Sequence, residues 1–298
     1  MVRKIVKWLF WTLFLLFLSS LALVVFYRWV PVPITATMIM DESSLTKDWD
    51  PLERIDRDMV RAVIAAEDSK FCSHDGFDWE AIEEARRRNA QGGRIRGGST
   101  ISQQTAKNVF LWQGGGYFRK GMEAYFTFLI ENIWGKRRIM EVYLNVAETG
   151  IGTYGVTEGA RRYFDKDASS LSRREAAAIA AVLPLPKERP ARNPSGFTAR
   201  YGSTIATRMS IVERDGLDAC VYAEGDAPVN NPDPSDPKPT PTPPQQPPEV
   251  EPAPAPDSPP TPQDDPAPQP IDPDPPITPA DPNPDDVPPP QPDVPDQP

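Results

Sequence analysis

From Trp8 to Phe26 the chain carries no charge and almost no polar side chain. A helix needs about 20 such residues to cross the ~30 Å hydrocarbon core of a bilayer. If the run is retained as such a helix, everything after Tyr27 folds beside a membrane. Arg3, Lys4 and Lys7 precede the run, and only Arg28 follows it before Lys47. That bias places the N-terminus in the cytoplasm and the rest outside it. A cleaved signal peptide would have a shorter apolar core ending in a small-x-small site. The weak site Ser19-Ser20-Leu21-Ala22 falls inside the run, so a retained single-pass anchor over 8–27, after a cytoplasmic 1–7, is the favoured reading.

The far end is bounded by composition. Residues 226–298 hold 31 of the 38 prolines, 15 acidic residues and one lysine. Proline removes backbone donors, and a chain so poor in apolar surface has little to bury, so a disordered, extended tail is expected. No basic cluster flanks a PxxP core, which suggests a spacer or a weak interaction arm. The tail carries a net −14, so the −10 of the whole chain leaves +4 on residues 1–225. The acidic balance belongs to the tail and says little about the folded part.

What remains, residues 28–225, is enough for one core. Cys72 and Cys220 lie at opposite ends of it. Outside the cytoplasm they could pair, but two cysteines are not a framework, and the sequence alone favours leaving them unpaired. There is no CxxC metal pattern. His74 is the sole histidine, which excludes a site built on several.

Apolar spacing predicts helices over Asp58–Glu67, Trp79–Asn89, Thr100–Leu111, Arg119–Trp134, Arg137–Glu148 and Thr198–Glu213. Another, alanine-rich, opens on the capping box Ser172-Arg173-Arg174-Glu175 and stops before Pro184. Alternating runs of strand length are scarce and no repeat is visible. The class is mainly α.

The stretch Gly97–Glu123 is the richest in chemistry. Gly97-Gly98 allows a tight turn, Ser99 and Thr100 are N-cap residues, and Gln103 completes a capping box. The helix that follows brings Thr100, Gln103, Gln104 and Lys107 near one face, and its free amides with a lysine make an anion site. Gly92–Ser99 imitates a phosphate-binding P-loop but lacks the lysine and a preceding apolar strand, so nucleotide binding of that kind is set aside. Glu123 lies four residues after Arg119 and three after Lys120. It reads either as a routine ion pair or as a carboxylate held among phosphate-binding cations. Glu67-Asp68 ends an apolar helix, where burial and the helix dipole raise a carboxylate pKa as a general base requires. The same pair also fits solvated helix-end residues partnered by Lys70 or Arg61. Trp112, Tyr117, Phe118, Tyr125, Phe126, Phe128 and Trp134 surround the cationic stretch. By default they are core. Interleaved with Arg119 and Lys120 in an anchored protein, they also suit a face at the bilayer interface.

These segments occur in a telling order. Glu67-Asp68-x-x-Phe71-x-x-His74-x-Gly76-x-Asp78 precedes Gly97-Gly98-Ser99-Thr100-Ile101-Ser102-Gln103-Gln104-x-x-Lys107-Asn108. Arg119-Lys120-x-x-Glu123 and Lys136-x-Arg138-Ile139-x-Glu141-x-Tyr143-Leu144-Asn145 follow, then Gly152-x-Tyr154-Gly155 and Ala160-x-x-Tyr163-Phe164. The series resembles the motifs of the family 51 peptidoglycan glycosyltransferases over about residues 30–215, in the monofunctional form without a penicillin-binding domain.

The resemblance implies a lysozyme-like helical glycosyltransferase domain with a membrane-associated jaw, on the periplasmic side of a bacterial inner membrane. It implies polymerisation of lipid II into β-1,4 glycan strands with release of undecaprenyl diphosphate. Glu67 would be the general base on the acceptor 4-hydroxyl. Glu123 would help hold the donor diphosphate, with a divalent cation (magnesium or manganese) as a candidate cofactor. Lys107, Arg119 and Lys120 would neutralise the leaving group, and Ser99, Thr100, Gln103 and Gln104 would shape the donor site. Asp68, Phe71, His74, Gly76, Asp78 and Asn108 would support the motifs. The implied partners are lipid II, the growing strand, the membrane and the divisome or elongation machinery, with no nucleic acid. One departure stands out: relatives often carry an arginine where this chain has Gly115, within Gly114-Gly115-Gly116. Arg119, Arg94 or Arg96 are candidates to compensate. The rival readings are a lytic enzyme, disfavoured by the cationic motifs, and a catalytically impaired scaffold acting through its tail.

Overall fold

The computed structural model describes residues 1–90 and 98–222. Gly97, Arg94, Arg96 and the proline-rich segment 226–298 lie outside the described residues. The uncharged run forms α1 (Val2–Tyr27), which starts ahead of it because helical hydrogen bonding continues through Arg3, Lys4 and Lys7. At 1.5 Å per residue, its 26 residues reach about 39 Å, enough to cross a bilayer core. The end of α1 is built into the domain. Trp134 Nε1 donates to the Val24 carbonyl at 2.7 Å, and Arg138 donates to the carbonyls of Tyr27 and Val30, at 3.0 and 2.7 Å.

Twelve further elements follow: α2 (Ala36–Ile39), β1 (Thr46–Lys47), α3 (Arg57–Glu67), α4 (Trp79–Ala90), α5 (Ile101–Phe110), α6 (Gly116–Ile133), α7 (Gly135–Val146), β2 (Glu148–Gly150), β3 (Thr153–Tyr154), α8 (Val156–Phe164), α9 (Arg173–Val182) and α10 (Gly196–Arg214). The mainly α class stands. Helices α2 and α8 and the strands are additions to the sequence reading. The strands, in order β1-β3-β2, are two or three residues each, too short for alternation to show. Strand β1 runs parallel to β3 with Thr46 opposite Thr153, and β2 runs antiparallel to it.

The core forms where α3, α9 and α10 pack together and where α5 packs on α6 and α7. Helix α3 buries Met59, Val60, Ala62, Val63, Ile64 and Ala65. The alanines of α9 let α10 approach closely, so that a side chain at Gly202 would already touch the Ala177 carbonyl and Ala181 Cβ at 3.9 Å. Both capping boxes form, Thr100 with Gln103 and Ser172 with Glu175. Each satisfies amides that a helix start leaves without partners.

The cysteines overturn their sequence reading: Cys72 and Cys220 form a disulfide across a separation of 148 residues. The pairing depends on the chain after α10 folding back over the start of α3. Arg57 holds Asp218 through two hydrogen bonds of 2.8 and 3.0 Å, Tyr222 stacks against the Arg57 guanidinium at 4.5 Å, and Val221 is fully buried. No local pattern in the sequence announces that return.

The aromatic set divides. Phe126 and Trp134 are buried, and Phe126 stacks on Phe110 with ring centroids 4.5 Å apart. Trp112, Tyr117, Phe118 and Phe128 are exposed. Tyr125, between the two groups, meets α1 through a 2.8 Å hydrogen bond to Ser20. Ser20 lies seven residues, about 10 Å, before the end of α1, so α6 lies against the membrane-crossing helix well below its top.

Candidate functional site

Glu67 is the last residue of α3, a helix that buries six of its eleven residues. Gln104 Nε2 donates to its Oε2 at 2.8 Å, while its Oε1 is buried with no hydrogen-bond partner. Burial pushes its pKa up, as does Asp68. The Gln104 hydrogen bond, Lys107 and Arg189 pull the other way. The Tyr143 hydroxyl, itself buried, donates to Gln104 Oε1 at 3.3 Å. Tyr143, Gln104 and Glu67 thus form a chain that fixes one carboxylate oxygen and leaves the other unoccupied.

Asp68 turns away and joins two segments. Its Oδ2 accepts the Ile101 amide at 3.0 Å, at the N-terminal end of α5, where a helix favours negative charge. Both its oxygens lie within 3.0–3.1 Å of His74 Nε2. The Gly76 amide donates to His74 Nδ1 at 3.1 Å, so the ring proton sits on Nε2 and points at Asp68. His74 is a structural link, as a single histidine most often is. Gly76 holds φ at +91°, and a side chain there would press on Thr127 and Glu131 at 2.8–2.9 Å, which explains the glycine. The Thr100 hydroxyl donates to the Gly76 carbonyl at 2.7 Å, closing the joint between the first and second motifs.

Glu123 is almost fully buried on α6. Arg119 Nη1 donates to its Oε2 at 2.7 Å, and the Lys120 ammonium takes the other oxygen while reaching Ser99 Oγ at 3.2 Å. The expected one-face arrangement is present. Both carboxylate oxygens are occupied by cations, and the described residues contain no group of three potential metal ligands. This donor set does not fit a divalent ion at Glu123. Lys107 lies within electrostatic reach of both carboxylates. Burial pushes its pKa down, as do Arg119 and Lys120, while Glu123 and Glu67 raise it. Among the described residues, no hydrogen bond or ion pair reaches its ammonium.

A cleft of about 520 Å³ is lined by Gln104, Lys107, Asn108 and Tyr143 together with the segment that follows α9. The remaining predicted residues support this arrangement from behind. Thr100 and Gln103 are buried in the α5 cap, Phe71 is fully buried against the Lys136 ammonium at 4.7 Å, and Asp78 accepts the Ala81 amide at 2.9 Å as the cap of α4. Lys136 donates to the His74 carbonyl at 2.6 Å and to Glu131 at 2.7 Å. Asn145 exchanges two hydrogen bonds with the backbone of Asp50, at 2.8 and 2.9 Å. Sequence reasoning did not single out Tyr143 or Arg189 for the site. The Glu141-x-Tyr143 motif could have pointed to the first. The second arrives from a loop with no local signal.

Gly115, at the position of the missing arginine, is the N-cap of α6 in a left-handed conformation, φ +84°. A side chain there would lie 2.8 Å from Arg119 Cβ. The turn brings Arg119 Nε onto the Gly114 carbonyl. Its shape disfavours any residue with a side chain.

Comparison with known proteins places the chain in a family. The family model described as Transglycosylase matches residues 35–210. A biosynthetic peptidoglycan transglycosylase of Rhodospirillum centenum is 50% identical over 208 residues, covering 68% of this chain and 90% of its own length. One from Caulobacter vibrioides is 46% identical over 224 residues, covering 74% of this chain and 98% of its own. One from Pseudomonas putida KT2440 is 47% identical over 219 residues, covering 70% and 91%.

Proposed function

Because this chain belongs to the transglycosylase family, we propose that its peptidoglycan transglycosylase activity in cell-wall synthesis is the polymerisation of lipid II, with Glu67 as the general base. The observation that carries this reading is that, among the described residues, a buried carboxylate oxygen on Glu67 and the ammonium of Lys107 both lack a hydrogen-bond or ion-pair partner. In the reaction, Glu67 Oε1 takes the proton of the acceptor 4-hydroxyl. The hydroxyl oxygen forms a bond to C1 of the donor sugar. The bond from C1 to the diphosphate oxygen breaks, and undecaprenyl diphosphate leaves with the bonding electrons.

Each residue has a physical reason for its part. Burial raises the basicity of Glu67, and Gln104 fixes its orientation, so little reorganisation is needed when the proton moves. Lys107, Arg119 and Lys120 with Glu123 sum to two positive charges, matched to a diphosphate diester. A bound anion favours the charged form of Lys107 that burial opposes. Glu123 acts as the counter-charge that lets Arg119 and Lys120 stay close together, and no step passes through a metal on it. Asn108 and Ser99 border the donor side.

The anchor and the exposed aromatics of α6 support a domain seated on the membrane, where a lipid-linked substrate is delivered. The disulfide supports a periplasmic location, because such bonds persist in oxidising compartments. The positive flank of α1 supports a cytoplasmic N-terminus in the inner membrane.

The test is polymerisation of labelled lipid II by the purified full-length protein, with a divalent cation in the buffer and products resolved on a gel. Wild type yields glycan polymer, and Glu67→Gln loses at least about 100-fold in rate. Activity surviving in Glu67→Gln would refute the base assignment. An inert wild type would favour a scaffold.

A further inference from the structure

A second polar cluster lines the same cleft as Gln104 and Lys107. It consists of Asp41 after α2, Glu148 in β2, Tyr154 in β3 and Lys187 after α9. Asp41, Glu148 and Lys187 belong to none of the motifs that carry the family resemblance, and the proposed reaction uses none of them.

Their partnering is uneven. Asp41 is saturated: it accepts from the Tyr154 hydroxyl at 2.7 Å, from Lys187 at 3.0 Å and from the Ser43 amide at 3.0 Å. These contacts hold its carboxyl well below the usual range. Glu148 differs. Among the described residues its buried Oε1 accepts no hydrogen bond, and the Lys187 ammonium forms only a loose ion pair with it at 3.7 Å, beyond hydrogen-bonding distance. Burial pushes the Glu148 pKa up. Lys187 is about half exposed, and of its three donors the hydrogen bonds account for one. The cluster therefore keeps, beside a cleft, an acceptor that lacks a hydrogen bond and an ammonium with two donors not committed to hydrogen bonds among the described residues. Two carboxylates around one ammonium give it a net charge of −1, which disfavours a phosphate. A group that carries both an N–H and a carbonyl or carboxylate matches Glu148 and Lys187 together. A peptide offers such groups.

We propose that Glu148 and Lys187 form a subsite for the peptide-bearing side of the glycan precursor, Glu148 accepting from an amide or amino N–H and Lys187 donating to a carboxylate or carbonyl. This rests on the polymerase reading. It makes the two residues determinants of substrate selectivity, with no part in the bond-making step.

The experiment compares two lipid-linked disaccharides, one carrying the peptide stem and one without it, as substrates of the full-length protein. Wild type, Glu148→Gln, Lys187→Met and Lys187→Arg are measured with both. In Lys187→Met and Glu148→Gln, the ratio of kcat/KM for the peptide-bearing over the peptide-free substrate falls about tenfold, the loss expected for one hydrogen bond to a charged group. The loss appears in KM, and Lys187→Arg restores most of it. An unchanged ratio, or an equal loss on both substrates as a contact to sugar hydroxyls would give, overturns the subsite. Lys187→Met decides alone if Glu148→Gln does not fold, because Lys187 is half exposed. A wild type that polymerises neither substrate removes the polymerase reading, and the subsite with it. An active wild type whose ratio is the same in every variant removes the subsite only.

Discussion

Removing the Cys72–Cys220 disulfide is the sharpest test of how this domain is held together. The bond closes a separation of 148 residues, nearly the whole described chain after α3. In the chain-entropy model, a cross-link of that span takes about 5 kcal/mol of loop-closure entropy from the unfolded chain. That value is an upper bound, since residual structure in the unfolded state reduces it. For a domain of about 150–250 residues, 1 kcal/mol moves the melting temperature by about 2–4 °C, so the full effect is about 10–20 °C. The loss is partly offset by contacts that survive reduction. The bidentate Arg57–Asp218 pair, with Arg61 also on Asp218 at 3.2 Å, still draws the C-terminal turn back onto α3.

The assay is thermal and denaturant unfolding of the full chain in detergent, for Cys72→Ala/Cys220→Ala against wild type, each with and without reductant. The double variant should lose about 2–5 kcal/mol, and reductant should bring wild type to the same value without further effect on the variant. A loss below about 1 kcal/mol would show that the turn is held by Asp218 and the burial of Val221 alone, and would refute the entropic argument. The position of the bond links it to activity as well. Cys72 lies five residues after Glu67, in the turn that carries His74 toward Asp68. Reduction should therefore lower the polymerisation rate before the domain unfolds.

Further outcomes follow from individual side chains. Burial raises the Glu67 pKa and the Gln104 hydrogen bond lowers it, so the base is lost as pH falls through a value above the ordinary one. Gln104→Leu should move the acidic limb of the pH–rate profile to higher pH and cut the plateau roughly tenfold, and an unmoved limb would remove Gln104 from the base's environment. Gly115→Arg should not behave as a simple gain of a cation. The left-handed backbone costs a non-glycine residue about 1–2 kcal/mol, and the contact with Arg119 adds to it, so the melting temperature should fall by several degrees. Gly114→Arg, at φ +83° in open space, should cost only the backbone part, and equal stability of the two variants would refute the steric argument.

The helices and their caps were legible because their signals are local. Thr100 and Gln103 sit three residues apart, as do Ser172 and Glu175, and the apolar spacing of α3 and α10 is complete within each segment. The Arg119–Lys120–Glu123 cluster was legible for the same reason, since one helical turn brings its members together. What escaped lies in contacts between segments far apart in sequence. Cys220 reaches Cys72 only through the fold-back at Asp218. Arg189 nears Glu67 only because the segment after α9 returns across the site. The aromatic set was half legible: composition named its members, but only packing against Phe110 and α1 separates buried Phe126 and Trp134 from exposed Tyr117 and Phe118. The Gly115 departure read as a missing charge. In the structure it is a backbone requirement, since the left-handed turn before α6 sets where Arg119 points.

The arrangement also explains why the first two motifs must act as one unit. Glu67 and Asp68 are adjacent, yet their side chains leave α3 in different directions and serve different elements. Asp68 binds the first amide of α5 and, through His74, the turn that ends in Gly76, whose carbonyl receives Thr100. Gln104, one turn further along α5, returns to Glu67. The loop of contacts closes: the residue that orients the base is carried by a helix whose start is fixed by the base's own neighbour. A shift of α5 would break the Asp68 contact and the Gln104 contact together, so the position of Glu67 is coupled to that of Lys107 on the same helix. In the proposed reaction, the proton acceptor and the leaving-group cation would thereby be held at a fixed separation before any substrate binds, which is the preorganisation that electrostatic catalysis requires.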